Sequence, residues 1–104
     1  MLQASVGREV RLICTDAVVY LESDARYTRV MHANGDALIR RPLKELVAQL
    51  DEAVFWQVHR SVIVNHRHID SAVRTDEGQM PLRLRDRPEI LPVSRCFQGL
   101  FKGD

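Results

Sequence analysis

Cysteine is scarce in this chain: only Cys14 and Cys96, far apart and in no Cys-x-x-Cys pair. That spacing excludes a disulfide framework and a thiolate zinc site, and two free thiols are expected in a reducing compartment. No apolar run reaches the ~18 residues of a membrane-spanning helix. Met1–Arg8 carries no apolar signal-peptide core, so a cytoplasmic, membrane-free setting is expected. Glycine-rich phosphate loops are missing, and Ser61 beside His59 lacks the glycines of a nucleophile elbow. Four histidines are present, with His66 and His68 close to one another, but no cysteine stands at ligand spacing and no His-Glu-x-x-His helix occurs. Cys96 follows Arg95 without a local oxyanion hole or orienting acid. The expectation is a non-enzyme with no metal and no cofactor.

A dominant charge is also lacking. Fifteen basic side chains face fourteen acidic ones, for a net charge of +1, whereas a basic domain is the usual footprint of nucleic-acid binding. Lysine is nearly absent, Lys44 and Lys102 being the only two. The arginines that replace it have the planar fork suited to phosphate and guanine, although GC-rich coding would produce the same bias. Aromatics number six, too few to spare for a base-stacking platform on single-stranded RNA.

What remains is a globular composition, 45% hydrophobic and 28% charged, in 104 residues, which fits a single domain over 1–104. Short β-like runs follow one another: 8–14, a more continuously apolar 17–22, 27–32 and 37–40, the last two joined by the hairpin dipeptide Asn34-Gly35. After Pro42, Leu43, Leu46, Val47 and Leu50 repeat at i, i+3, i+4 and i+7, predicting one amphipathic helix. Strand character resumes over 54–64, broken at His59-Arg60-Ser61, and again at 69–74, 82–85 and 90–93. Pro92 marks an edge or an end. Ser94 is placed to cap a short terminal helix carrying Phe97, Leu100 and Phe101. Arginines recur at strand ends and turns: Arg26, Arg29, Arg60, Arg67 and Arg95. Each alone reads as solvated surface; together they matter only if the turns share one edge of the sheet.

The segment His59-Arg60-Ser61-Val62-Ile63-Val64-Asn65, preceded by Phe55, resembles the signature of the LytTR DNA-binding family. Val19-Tyr20-Leu21-Glu22-Ser23 followed by Tyr27, then Leu43-Lys44-Glu45-Leu46, and finally Leu91-Pro92-Val93-Ser94-Arg95 resemble the family's other elements in the right order. The matches cover about residues 8–101. The resemblance implies a mainly β, elongated fold of about ten short strands in small antiparallel sheets with one or two short helices. It implies sequence-specific binding of double-stranded DNA by the output module of a bacterial transcription regulator, controlled by or fused to a receiver domain. Loops would enter successive major grooves, with dimers on tandem direct repeats. Carried over by position, the DNA contacts are Arg26, Thr28, Arg29, Arg60 and Arg95. Of these, Arg95 is assigned to a guanine edge, Arg29 to phosphate and Arg60 to either, while Thr28 is smaller than the donor some relatives carry. Asn65 is assigned to a turn and His59 to the scaffold. The acids Asp51, Glu52, Asp76 and Glu77 are expected away from these arginines. The alternative is a non-enzymatic β-rich module for protein interaction or ligand sensing.

Overall fold

The computed structural model describes residues 1–103. Its strands are β1 (Leu2–Val6), β2 (Glu9–Ile13), β3 (Val18–Asp24), β4 (Tyr27–His32) and β5 (Gly35–Ile39). A short helix α1 (Leu43–Leu46) follows, then β6 (Phe55–His59), β7 (Val62–Asn65), β8 (Ile69–Ala72), β9 (Leu82–Leu84) and β10 (Ile90–Leu91). All pairings are antiparallel and form three sheets: β1-β2, β5-β4-β3-β7-β6 and β10-β9-β8. The molecule is elongated, 49 × 25 × 23 Å, with a radius of gyration of 13.9 Å. A compact chain of this length would have ~13 Å.

The five-stranded sheet is buried on both faces, which explains its near-continuous apolar runs. On one side Val18, Leu21, Val30 and Ile63 pack with Leu2 and Ala4 of β1 and Leu43 and Leu46 of α1. On the other, Val19, Tyr20, Val62 and Val64 pack with Met80, Leu82, Leu84 and Leu91. Strict alternation would put Val18 and Tyr20 on one face. A bulge between them breaks the β3–β4 register, so Val18 joins Leu21 and Val19 joins Tyr20. Both cores thereby draw on the same strand.

Two polar side chains, Thr28 and Asn65, lie fully inside this arrangement. Asn65 is 1% exposed; its Nδ2 donates to the Val18 carbonyl at 3.1 Å and its Oδ1 accepts from the Arg67 amide at 3.0 Å. The second bond caps the 3-10 turn His66–His68, so Asn65 both ends β7 and ties it to β3.

Three local expectations need correction. Leu2–Val6 is a strand that the sequence reading passed over; its alternation is only two buried residues long, Leu2 and Ala4. The helix after Pro42 stops at Leu46 and continues as a 3-10 turn, Val47–Gln49. Tightening to three residues per turn takes Val47 out of the stripe, and it is 44% exposed. The C-terminal segment Arg95–Phe101 is also 3-10, without a side-chain cap from Ser94. The Ser94 hydroxyl instead lies 3.6 Å from Cys96 Sγ. Pro92 does follow an edge strand, β10, directly.

Cys14 and Cys96 are exposed free thiols. No described helix is long and apolar enough to cross a membrane. Among the described residues no group of three or more His, Cys, Asp or Glu is placed to hold a metal.

His68 supplies a pH dependence. Burial holds its imidazole below the ordinary 6.5, and the nearby Arg87 guanidinium adds to the effect. The unfolded chain therefore binds the proton more readily than the folded one. Stability from neutral His68 is complete above the unfolded value and is lost as pH falls through the depressed folded value. Urea midpoints measured from pH 7 to pH 5 should fall less steeply in His68→Gln than in the parent.

Candidate nucleic-acid interface

Antiparallel pairing decides which turns come together. β3 ends at Asp24, opposite Tyr27, so Ala25-Arg26 forms the tip of its hairpin with β4. β7 starts at Val62 opposite Glu22, which brings the Arg60-Ser61 turn to the same end. The Ser23 amide donates to the Ser61 carbonyl at 2.8 Å and locks the two turns side by side. β5 finishes there too, Ile39 lying opposite Thr28, so Arg40, Arg41 and Lys44 follow at this end. Lys44, Arg60, Gln57, Ser23 and Ala25 line a shallow groove.

Arg26 is exposed at the tip, beside Ala25, whose φ of +55° is unusual for a residue with a side chain. Arg29 points from β4 and is about half exposed; its Nη2 lies 3.3 Å from Asp24 Oδ2. That ion pair is solvent-screened and weak, so an incoming phosphate can compete for the guanidinium. Arg60 is exposed at its turn, and His59 shapes the backbone beneath it. The Ser61 amide donates to His59 Nδ1 at 3.2 Å, with the Ser61 hydroxyl 2.8 Å from the same nitrogen. An Nδ1 that accepts leaves the ring proton on Nε2.

Arg95 comes from a different part of the chain. The Ser94 amide donates to the Val58 carbonyl at 2.9 Å, anchoring the start of the C-terminal segment on β6, two residues short of Arg60. The exposed Arg95 guanidinium then extends past Gly78, with Nη2 3.8 Å from where a β-carbon on that glycine would stand. Among the described residues, Arg26, Arg60 and Arg95 enter no ion pair.

The structure thus gathers Arg26, Arg29 and Arg60 at one end of the sheet and fastens the Arg95 segment to its edge. It removes Thr28. That side chain is 0% exposed and its Oγ1 donates to the Arg41 carbonyl at 2.7 Å; burial leaves no surface for DNA to touch. Thr28→Val is expected to cost ~1 kcal/mol of stability by orphaning that carbonyl, seen as a lower urea midpoint. DNA affinity of the folded protein should stay unchanged.

The expected segregation of acids is incomplete. Asp51 and Glu52 precede β6 and lie at the end opposite Arg60, as anticipated. Glu77 does not keep clear: it lines a cleft with Arg95, Gln79 and Gln98. Asp24 sits inside the arginine cluster. Arg40 and Lys44 were not singled out from the sequence. The signal available was the basic run Arg40-Arg41 closing β5, visible once the hairpin at Asn34-Gly35 fixes the strand direction.

Comparison with known proteins agrees with this architecture. The LytTr DNA-binding domain profile matches residues 8–103. An uncharacterized response regulatory protein of Vibrio cholerae is 42% identical over 97% of this chain. The CO-responsive transcriptional regulator RcoM of Rhodospirillum rubrum is 31% identical over 94%. The positive alginate biosynthesis regulatory protein of Pseudomonas aeruginosa is 30% identical over 90%. The chain spans only 40%, 42% and 38% of those three proteins. Among solved structures, a LytTr DNA-binding domain from Bacillus cereus superposes with a TM-score of 0.83 at 23% identity, covering 95% of this chain and 90% of its own. With nearly its whole length matched in sequence and the same fold in space, the chain belongs to the LytTr DNA-binding domain family.

Proposed function

We propose that this chain reads double-stranded DNA by sequence and is the output module of a bacterial transcription regulator. The observation that carries the reading is the convergence of Arg26, Arg29 and Arg60 on one end of the sheet, with Arg95 anchored beside it by Ser94 and Val58. Loops on a rigid β body can project guanidinium groups into a groove without a recognition helix. In this reading Arg95 pairs with a guanine edge, Arg29 exchanges Asp24 for phosphate, and Arg26 and Arg60 complete the contact. The loops enter successive major grooves, and two copies occupy tandem direct repeats. The rest of the regulator supplies the input, a receiver domain being the expected form given a relative named as a response regulatory protein.

The test is selection from randomised duplex DNA at two salt concentrations, with sequencing of the bound pool. The expected result is a short motif recurring in direct orientation about one helical turn (~10 base pairs) apart. Weak binding without enrichment, abolished by salt, would leave only nonspecific phosphate contact and favour a protein-interaction module instead.

A further inference from the structure

The edges of the sheets are treated unequally. β5 lies against β1, the 3-10 segment Arg95–Phe101 runs along β6, and β10 is two residues long and stops at Pro92. β2 is different. Among the described residues its only strand partner is β1, and four of its five residues, Glu9, Val10, Arg11 and Leu12, are exposed. Val10 and Leu12 are 59% and 62% exposed, on a strand that has no second strand beside its outer edge among the described residues. Charged side chains are one ordinary protection of such an edge, and like charges facing each other across a new pairing would repel. Here the charges are of opposite sign, Glu9 and Arg11, and they flank Val10 symmetrically. Within one copy they face each other, Arg11 Nε lying 3.7 Å from Glu9 Oε2, an exposed and weak pair that partners on a second copy can replace.

Backbone geometry says which register the edge accepts. The hairpin turn Gly7-Arg8, with Gly7 at φ +60°, joins Val6 and Glu9 as the closing pair of the ladder. In a two-residue hairpin that pair is hydrogen-bonded, and bonding alternates along the strand. The amide and carbonyl groups of Val10 and Leu12 therefore point away from β1, into the open edge. An antiparallel second copy bonds to those groups in a two-fold register centred on Val10. Glu9 then stands opposite the partner's Arg11, and Arg11 opposite the partner's Glu9. Shifting the centre to Arg11 keeps the hydrogen bonds but sets the two arginines against each other, which is unfavourable.

We infer that the outer edge of β2 is a self-pairing surface on which a second copy of this chain adds antiparallel, centred on Val10 and selected by two Glu9–Arg11 pairs. The pairing joins the two-stranded sheets of two copies into one of four strands. The contact is two-fold, so it does not relate the two copies on one direct repeat but joins copies from different sites, and it can be tested without DNA.

The test is disulfide capture. Val10→Cys is placed in a Cys14→Ser, Cys96→Ser background, because both native thiols are exposed. Opposed hydrogen-bonded residues have α-carbons ~5.5 Å apart, within disulfide reach. Under mild oxidation this variant should form a covalent dimer faster than Leu38→Cys in the same background, Leu38 being an exposed residue of β5. Adding Glu9→Arg, or separately Arg11→Glu, should slow capture about tenfold, since each turns two attractive pairs into repulsive ones. Mixing the two charge variants should restore it, as a heterodimer. Capture no faster than at Leu38, or a rate indifferent to the charge changes, overturns the proposal. Circular dichroism of each variant confirms that the exposed substitutions leave the fold intact.

Discussion

The double variant Arg60→Ala, Arg95→Ala is expected to lose specific DNA binding almost completely. Losing a bidentate arginine–guanine pair at Arg95 costs ~1–3 kcal/mol of discrimination. Losing the Arg60 contact, to base or phosphate, adds to it, so roughly thirtyfold or more in affinity (~2 kcal/mol) is expected. The protein should fold normally, because both side chains are exposed and neither enters an ion pair among the described residues. Salt separates the roles. If Arg60 holds phosphate, the single Arg60→Ala weakens all sequences alike and lowers the salt slope by ~1. If it reads a base, the slope holds and preference at one position relaxes. Binding of the double variant within threefold of the parent, about 0.6 kcal/mol, would remove both residues from the interface.

Asn65→Ala should produce the largest loss of stability from a single polar side chain. It deletes a buried hydrogen bond to the Val18 carbonyl and the cap on the Arg67 amide. An orphaned buried partner costs ~1–3 kcal/mol and a lost cap ~1 kcal/mol, against a total stability of ~5–15 kcal/mol. The melting temperature should fall by ~8–30 °C, as each kcal/mol moves a domain of this size by ~4–8 °C. Asn65→Asp keeps only one of the two bonds. An aspartate still accepts from the Arg67 amide, but its second oxygen faces the Val18 carbonyl oxygen from a buried position, so at neutral pH this variant should be no more stable than Asn65→Ala. A melting temperature unchanged in Asn65→Ala would show that neither bond bears on stability.

Much of this molecule is legible in its sequence, and the reasons are specific. Asn34-Gly35 marks its hairpin because few other dipeptides accept that backbone. Val62-Ile63-Val64 is apolar without interruption because its strand is covered on both faces. The resemblance to the LytTR family rests on residues spread along nearly the whole chain, and the family match and fold agree with it. Other features could not be read. Thr28 stands two residues from Val30 on one strand face, an inward position that the carry-over by resemblance does not weigh, and its bond to the Arg41 carbonyl, thirteen residues away, has no local signature. The short helix after Pro42 has the right apolar spacing for a longer one; the spacing does not reveal where the backbone tightens. Glu77 meets Arg95 in one cleft only because Ser94 docks on Val58. Pairings between distant segments leave no local pattern, and the candidate site is assembled from them.

That β3 contributes to both cores has a consequence for how the molecule comes apart. An object 49 Å long with two hydrophobic clusters has the shape of two foldons that could open separately. Because Val18 and Leu21 sit in one cluster while Val19 and Tyr20 sit in the other, neither cluster can open without exposing the strand that holds the second. Native-state hydrogen exchange should therefore find the slowest amides in β3 and β7, exchanging only through global unfolding. The β1–β2 hairpin, attached at one side, should exchange ahead of them.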